Sequence, residues 1–488
     1  MFLRVALAAL ALAAAALTAS ASAEVVLNRG NIAEPGSLDP QKYSTTYETE
    51  IQRDLFEALV AVGPDGRLIP GSAERWSASA DGRTYTFKLR SGLKWSDGVA
   101  MTATDFVYGI RRAVDPATHS WYANLLYNIK NAKAINEGKM KVETLGVSAP
   151  DAQTVVINLI DPSPTLAILM SNAGLSPAPK HVVDKFGAGW TKPGHMVSNG
   201  AYMLAEWRPY DHIKLVKNPH YRDAARVKID AVNFYPTEDD GAAVKRLRAG
   251  ELDVNMRFPP NEIDQLKRTL PPGTVRASPS IGVMYLVPNF KKPPFNDVRV
   301  RRALSLAIDR EAIVNQILRN GELASYSLVV PSIAQYTPVA LDFKGKTLAA
   351  RQAEARALLA AAGYTAQRPL TFELNHRVGL ANKRVMIAVQ NMFKAVGVEA
   401  SLSASDVTVH YNKLRVGDFA FADAGWYGFG PDPEYFTYLL LSGSTEINYG
   451  SYANPAFDAK KMGVLIDALD RSKCRQCAEA MLWLGIRM

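Results

Sequence analysis

Residues 423–433 combine the side-chain types that a ligand-binding loop needs. These eleven residues include three glycines, three aromatic residues, two carboxylates and two prolines. Glycine lets another backbone approach closely, and aromatic side chains offer a large, stiff contact surface. A ligand site is one interpretation, and a surface turn whose aromatic residues pack on the core is the other. The candidate ligand-binding residues are Asp423, Gly425, Trp426, Tyr427, Phe429 and Asp432.

The sequence lacks the common catalytic signatures. It has no G-x-S-x-G elbow, no P-loop, no G-x-G-x-x-G after a predicted strand and no H-E-x-x-H pair. Its two cysteines, Cys474 and Cys477, have neither a βαβ context for redox chemistry nor two further zinc ligands nearby. The sequence therefore predicts a protein that is not an enzyme and that needs no cofactor and no metal.

The first residues predict export from the cytoplasm. Residues 1–23 contain Arg4, then an apolar run of alanine, leucine and valine, and they end in the small residues Ala21, Ser22 and Ala23. This order is typical of a cleaved signal peptide, because the apolar run is too short to span a bilayer. In a bacterial cell, the mature protein would be periplasmic.

The charge pattern argues against a nucleic-acid partner. The formal net charge is +9, but the basic residues are scattered along the chain. Binding to nucleic acid favours a concentrated basic patch. We interpret the charge as that of a solvated surface.

The elements that would position the candidate loop alternate between strand and helix. A short apolar run, residues 419–422, predicts a strand that leads out of the core into the loop. Alternating side chains predict a strand over residues 84–90, and capping residues predict a helix that begins near Thr102. Residues 48–62 have the apolar spacing of another helix. With 488 residues, the chain predicts two or three α/β domains.

Seven motifs resemble those of the periplasmic oligopeptide-binding proteins, the solute receptors of ABC peptide importers. The resemblance extends in order from about residue 25 to about residue 465. The motifs are Ser37-Leu-Asp-Pro40, Arg53-Asp-Leu-Phe-Glu57, Asp81-Gly-Arg-Thr-Tyr-Thr-Phe-Lys-Leu-Arg90, Lys94-Trp-Ser-Asp-Gly98, Thr102-Ala-Thr-Asp-Phe-Val107, Ser198-Asn-Gly-Ala-Tyr202 and Asn296-Asp-Val-Arg-Val-Arg-Arg-Ala-Leu-Ser-Leu-Ala-Ile-Asp-Arg310.

The resemblance implies a two-lobed α/β periplasmic binding protein with an additional inserted small domain. Lobe I would comprise residues 24–62 and 184–281, the inserted domain residues 63–183, and lobe II residues 282–488. An extended peptide would lie between the lobes and pair with protein strands. The implied partners are a peptide ligand and an ABC permease with ATPase subunits at the inner membrane, and the receptor itself would be a monomer.

The resemblance also assigns two segments to the ligand cleft. Gly425 and Trp426 match the strand that lines the cleft in the family. The segment around Thr45, Thr46 and Tyr47 matches the opposing strand. An exported hydrolase is the competing interpretation, but it would need a recognisable nucleophile; a sensor or chaperone of the same fold would need no permease.

One position departs from the family pattern in a way that bears on the ligand. Peptide-binding members carry an aspartate for the ligand's α-ammonium group three residues after the tryptophan, and here that residue is Phe429. Because an unpaired buried charge is costly, Phe429 disfavours a free amino terminus there. Asp423 or Asp432 could replace the anchor, or the ligand could be a modified peptide, a cell-wall peptide or another solute without a free α-amine. Alternatively, Phe429 simply packs into the lobe.

The carboxyl end departs from the family as well. The family continues for several tens of residues beyond Met488, and the chain after about residue 470 does not resemble it. A truncated or frameshifted reading frame is the simplest account, and it predicts a less stable second lobe.

Overall fold

The structure is a computed structural model that describes residues 24–43, 45–259, 262–276, 280–331, 333, 336, 339–428, 432–442 and 447–458. The predicted signal peptide, Phe429, both cysteines and the divergent carboxyl end lie outside the described residues. The predictions made for them stay predictions.

The described residues form an alternating series of strands and helices. The strands are β1 (Val26–Asn31), β2 (Val60–Val62), β3 (Leu68–Pro70), β4 (Ala73–Ala78), β5 (Thr84–Leu89), β6 (Val147–Asp151), β7 (Thr154–Asn158), β8 (Tyr202–Arg208), β9 (His212–Lys217), β10 (Ala231–Pro236), β11 (Val254–Asn255), β12 (Gly282–Pro288), β13 (Leu370–Arg377), β14 (Val398–Ser405) and β15 (Phe421–Tyr427). The α-helices are α1 (Thr46–Leu55), α2 (Ala103–Val114), α3 (Ala132–Asn136), α4 (Leu166–Leu169), α5 (Lys180–Phe186), α6 (Asp240–Arg248), α7 (Ile263–Thr269), α8 (Val298–Ala307), α9 (Arg310–Ala312), α10 (Leu348–Ala361), α11 (Leu380–Lys394), α12 (Val407–Val416) and α13 (Glu434–Thr437).

Three larger sheets organise these elements. One has the strand order β11-β1-β10-β9-β8, a second β4-β5-β7-β6, and a third β12-β15-β13-β14. In the third sheet β13 is parallel to both β14 and β15, whereas β12 is antiparallel to β15. The strands of the three sheets come from different stretches of the chain, but the domain boundaries drawn from the sequence stay predictions.

The first two sheets share one hydrophobic core. Phe87 and Phe106, from β5 and α2, belong to the same buried cluster as Ile213 and Phe234, from β9 and β10. The third sheet has a core of its own, in which Phe295 and Phe393 are fully buried. The described chain is therefore built around two large cores.

Local sequence signals correctly predicted several elements. Helix α2 begins with a capping box, in which the backbone N–H of Thr102 donates to Asp105 Oδ2 over 2.8 Å. It ends immediately before Asp115 and Pro116, as the sequence predicts. Strand β5 alternates between half-buried and buried side chains, with Phe87 at its centre.

The helix predicted over residues 48–62 was only partly correct. Helix α1 ends at Leu55, and the last part of the predicted range forms β2, which pairs with β3. The side-chain amide of Asn199 accepts from the backbone N–H of Glu57 over 3.1 Å and donates to its carbonyl over 2.8 Å. These bonds occupy both backbone groups of Glu57, so a contact distant in sequence overrides the local helical spacing.

Gly109 shows where a helical glycine is required. Alanine in a helix is normally more favourable than glycine by about 0.5–1 kcal/mol. A Cβ at Gly109 of α2, however, would lie 2.4 Å from the carbonyl oxygen of Ser176. We expect Gly109→Ala to lower the free energy of unfolding by about 1–3 kcal/mol, because the backbones must separate. Chemical denaturation measures this.

Gly241 provides the matched control for that substitution. It lies in the first turn of α6, where a Cβ would be 3.2 Å from Oδ1 of Asp239, the side-chain oxygen that caps the helix. Gly241→Ala should change stability by less than about 1 kcal/mol, because the gain from alanine offsets a small displacement of this cap. Equal stabilities for the two variants would contradict the expected role of Gly109.

Candidate functional site

The third sheet has a topological switch point at the carboxyl ends of its parallel strands, and we call this place the crevice. Strands β13, β14 and β15 follow one another in the chain, but β13 lies between the other two in the sheet. The connections through α11 and α12 therefore lead to opposite sides of β13. In α/β sheets, ligands bind at such a switch point, outside the carboxyl ends of the strands. In this protein the switch point lies between Arg377, at the end of β13, and the end of β15.

A buried ion pair joins the two strands at this point. The guanidinium of Arg377 donates to Asp423 Oδ2 from Nε over 2.9 Å and from Nη2 over 2.7 Å. The backbone N–H of Arg377 donates to Asp423 Oδ1 over 2.9 Å. The side chain of Asp423 is only 1% exposed, and that of Arg377 is 14% exposed. Both carboxylate oxygens of Asp423 are therefore engaged by Arg377.

Helix α12 supports the pair from one side. His410 is fully buried, and its Nε2 lies 2.8 Å from the carbonyl oxygen of Asp423. Burial lowers the pKa of His410, so the neutral imidazole donates this bond from Nε2–H. The next residue, Tyr411, has its ring 5.6 Å from the guanidinium carbon of Arg377.

Arg377 stays charged in this setting. Burial alone would lower the pKa of Arg377, but Tyr411 and Asp423 raise it by more, so the net shift is upward. Among the described residues, Nη1 of Arg377 has no hydrogen-bond acceptor, while Nη2 also contacts Met284 Sδ at 3.4 Å. One end of the guanidinium thus retains unused donors.

Gly425 lets two side chains lie close against the strand. A Cβ at Gly425 would lie 3.5 Å from Arg377 Nη1 and 2.9 Å from Met284 Sδ. Any side chain at this position would therefore displace Met284 and crowd the guanidinium. After β13, Gly379 has a φ of 124°, which only glycine adopts readily, and the chain turns there into α11.

Trp426 does not project freely from β15. Its indole N–H donates to the carbonyl oxygen of Tyr435 over 2.8 Å. The half-buried ring packs against a buried group that we call the Trp426 cluster, formed by Val329, Val330, Ile333, Tyr435 and Phe436. Tyr427, in contrast, is 61% exposed at the end of the strand. Trp426 thus anchors the strand end, and Tyr427 offers the accessible aromatic surface.

The predicted opposing strand at residues 45–47 is wrong. Thr45 is the N-cap of α1, and Thr46 and Tyr47 begin that helix. Thr45 and Glu48 form a capping box, and Glu48 Oε1 also accepts from the backbone N–H groups of residues 36 and 37. This local capping favours a helix start over an extended strand.

The sequence analysis missed the residues that complete the pair with Asp423. Arg377, His410 and Tyr411 were not among the candidates, although Arg377 stands two residues before a glycine, where a strand can end. Asp432 is described and half-buried; its carbonyl oxygen accepts from Tyr435 N over 3.4 Å. Phe429 lies outside the described residues.

The described residues contain no group of three or more histidine, cysteine, aspartate or glutamate side chains that could hold a metal ion. Within the same residues, no helix has both the length and the apolar character needed to cross a membrane.

The chain matches one protein family over most of its length. Residues 67–448 match the model of the bacterial extracellular solute-binding proteins, family 5 middle region. The chain is 37% identical to the probable deoxycholate-binding periplasmic protein YgiS of Escherichia coli, covering 94% of this chain and 86% of the relative. It is 38% identical to the periplasmic oligopeptide-binding protein OppA of Salmonella typhimurium, covering 93% and 84%.

Solved structures show the same fold. The murein tripeptide-binding protein MppA of Escherichia coli has 35% identity and a TM-score of 0.84, covering 96% of this chain and 91% of that one. Haemophilus influenzae OppA in complex with the peptide RPPGFSPFR has 33% identity and a TM-score of 0.81, covering 95% and 91%. These likenesses confirm the two-lobed α/β class predicted from the sequence.

Proposed function

The chain belongs to the bacterial extracellular solute-binding proteins of family 5, and on that premise we propose that it is a periplasmic receptor for oligopeptides or peptide-like solutes. It captures the solute between two lobes and delivers it to an ABC permease with ATPase subunits at the inner membrane. The relatives named as oligopeptide-binding and murein tripeptide-binding proteins support this. Residues 1–23 serve as the cleaved signal peptide, and the mature receptor acts as a monomer.

The observation that carries the proposal is the crevice between β13 and β15. It combines an arginine with unused donors, a glycine at Gly425 that lets this arginine lie against the strand, and the exposed ring of Tyr427. Lobe I is formed by residues 24–62 and 184–281, lobe II begins at residue 282, and residues 63–183 are the inserted domain. The ligand lies against the lobe II crevice, with Gly425, Tyr427 and Asp432 near it and Trp426 behind it.

A specific observation favours a ligand without a free α-amine as the second candidate. Asp423 is buried and both its oxygens are bound by Arg377, so binding an ammonium group there would require breaking a buried ion pair. The arginine side of the pair offers donors to an acceptor on the ligand, such as a carboxylate. The relative named as probably deoxycholate-binding is consistent with such a ligand. Tyr427 supplies exposed aromatic surface.

Calorimetry with two peptide pools tests both candidates. The mature protein is unfolded and refolded to remove bound solute, then titrated with tripeptides to pentapeptides carrying free or acetylated amino termini. We expect the two pools to bind with affinities within about fivefold, because the carboxylate of Asp423 is already paired with Arg377 and is not available to the ammonium group. If such a pair did form, acetylation would cost about 2–5 kcal/mol, a loss of affinity of thirtyfold or more. Binding of the free-amine pool alone would assign the anchor to another carboxylate, with Asp432→Asn as its test. Binding of neither pool by the folded protein would remove the peptide assignment, and deoxycholate would be the next probe.

A double variant measures the contribution of Arg377 to ligand binding. We expect Arg377→Gln combined with Asp423→Asn to weaken binding of both pools at least tenfold, because the donors at Nη1 and Nη2 are lost. Changing both residues together avoids an unpaired buried carboxylate. Arg302→Gln is the control, since Arg302 pairs with Asp342 and Glu354 away from the crevice. Unchanged affinity in the double variant would place the ligand elsewhere.

A further inference from the structure

Ile168 turns away from the core that holds its own helix. In the single turn of α4, Leu166 is buried in the first core and Leu169 packs against it. Ile168, between them, packs instead against the Trp426 cluster. The cluster is built from residues of the second half of the chain, so Ile168 joins the two halves through an apolar contact.

Two polar contacts also connect the halves. The guanidinium carbon of Arg415, on α12, lies 5.9 Å from the ring centre of Trp121, whose side chain is 56% exposed. Arg319 forms an ion pair with Asp264 of α7. Such exposed contacts are weak individually. Together with Ile168, they show that the two halves of the described chain meet at more than one place.

The same elements reach the ligand crevice. Trp426, which packs against the Trp426 cluster, follows Gly425 directly in β15. Helix α12 carries Arg415 at one end, while its Tyr411 hydroxyl lies 3.2 Å from the backbone N of Gly425. A displacement of either surface is therefore transmitted to the strand that borders the crevice.

We propose that Ile168, on the inserted domain, is the closing contact with lobe II and that it sets ligand affinity and residence time from outside the crevice. The contact exists only when the inserted domain and lobe II are together. A ligand that requires the closed form binds in proportion to the population of that form. Ile168 is thus a positioning residue, and the effect on affinity rests on the proposed receptor function.

The expected size follows from the apolar surface involved. Ile168 is half-buried. Removing about half of the burial free energy of an isoleucine corresponds to a change of about three- to tenfold in the closed population. We therefore expect Ile168→Ser to weaken peptide binding by this factor, through faster dissociation.

Ile160→Ser is the matched control. Ile160 follows β7 in the same segment of the chain and is 49% exposed. The substitution is chemically the same, but Ile160 does not pack against the Trp426 cluster. Ile168→Val, which retains most of the side chain, should give an intermediate effect, and thermal melting verifies that each variant is folded.

The experiment combines titration calorimetry and stopped-flow dissociation of the peptide pools with small-angle X-ray scattering of the ligand-free proteins. Support requires that Ile168→Ser bind more weakly, release ligand faster and have a larger radius of gyration than Ile160→Ser. If the wild type binds peptide but the two serine variants agree in affinity or in dimensions, the closing contact is refuted and the receptor function stands. If the wild type binds no peptide, the proposed receptor function fails. The radii of gyration of the two serine variants then test the closing contact by themselves.

Discussion

Replacing Asp39 with asparagine should lower the free energy of unfolding by about 3–5 kcal/mol, the cost typical of leaving one partner of a buried ion pair uncompensated. Asp39 is 4% exposed, and its Oδ2 accepts from Arg112 Nη2 over 2.7 Å and from Trp190 Nε1 over 3.1 Å. Its Oδ1 accepts from the backbone N–H of Gln41 over 3.0 Å. Asparagine retains the shape but leaves the Arg112 charge without its counter-ion.

Asp65 supplies the control for this substitution. Asp65 and Arg67 form an exposed ion pair with 3.6 Å between Oδ2 and Nε. Asp65→Asn should change stability by less than about 1 kcal/mol. Urea denaturation followed by tryptophan fluorescence compares the two variants, and a similar midpoint for both would show that the Asp39–Arg112 pair does not stabilise the fold.

Replacing Phe295 with alanine should lower the free energy of unfolding of the second core by about 3–5 kcal/mol. The fully buried ring of Phe295 lies 5.2 Å from that of Phe372 and 5.3 Å from that of Phe421. Phe393 completes the group at 5.9 Å from Phe372. Removing one ring leaves a cavity whose walls belong to β13 and β15, the strands that border the crevice.

Denaturation of Phe295→Ala and Val416→Ala separates this packing effect from a general loss of apolar side chains. Val416 is exposed at the end of α12, so its truncation should change stability by no more than about 0.5 kcal/mol. We expect only Phe295→Ala to shift the transition to lower denaturant. A small effect at Phe295 would indicate that its neighbours close the cavity by repacking.

The sequence predicted the local features of the fold well. The capping box at Thr102 and the alternation around Phe87 depend on side chains within a few residues of one another. Such signals are complete within a short window. The structure therefore reproduced them with differences of only one or two residues at the ends.

The candidate site was predictable only in part, because its key contacts are remote in sequence. Gly425 and Trp426 were candidates from their types and from the family resemblance, and their role in ligand binding stays a prediction. Arg377 lies 46 positions from Asp423, and nothing in the sequence near either residue specifies their pairing. The segment at Thr45 shows the opposite error. The family resemblance assigned it to a strand, although the local capping signal of Thr45 and Glu48 predicts the start of a helix.

The shared core of the first two sheets bears on the modularity of residues 63–183. Trp95 and Phe106 are buried in the same cluster as Ile213 and Phe234, and the Asp39–Arg112 ion pair joins the segment after β1 to α2. A segment excised at those boundaries would expose this apolar face to water and lose the counter-ion of Arg112. We therefore expect that residues 63–183 could be exchanged between related proteins only together with the parts of β9, β10 and the segment after β1 on which they pack.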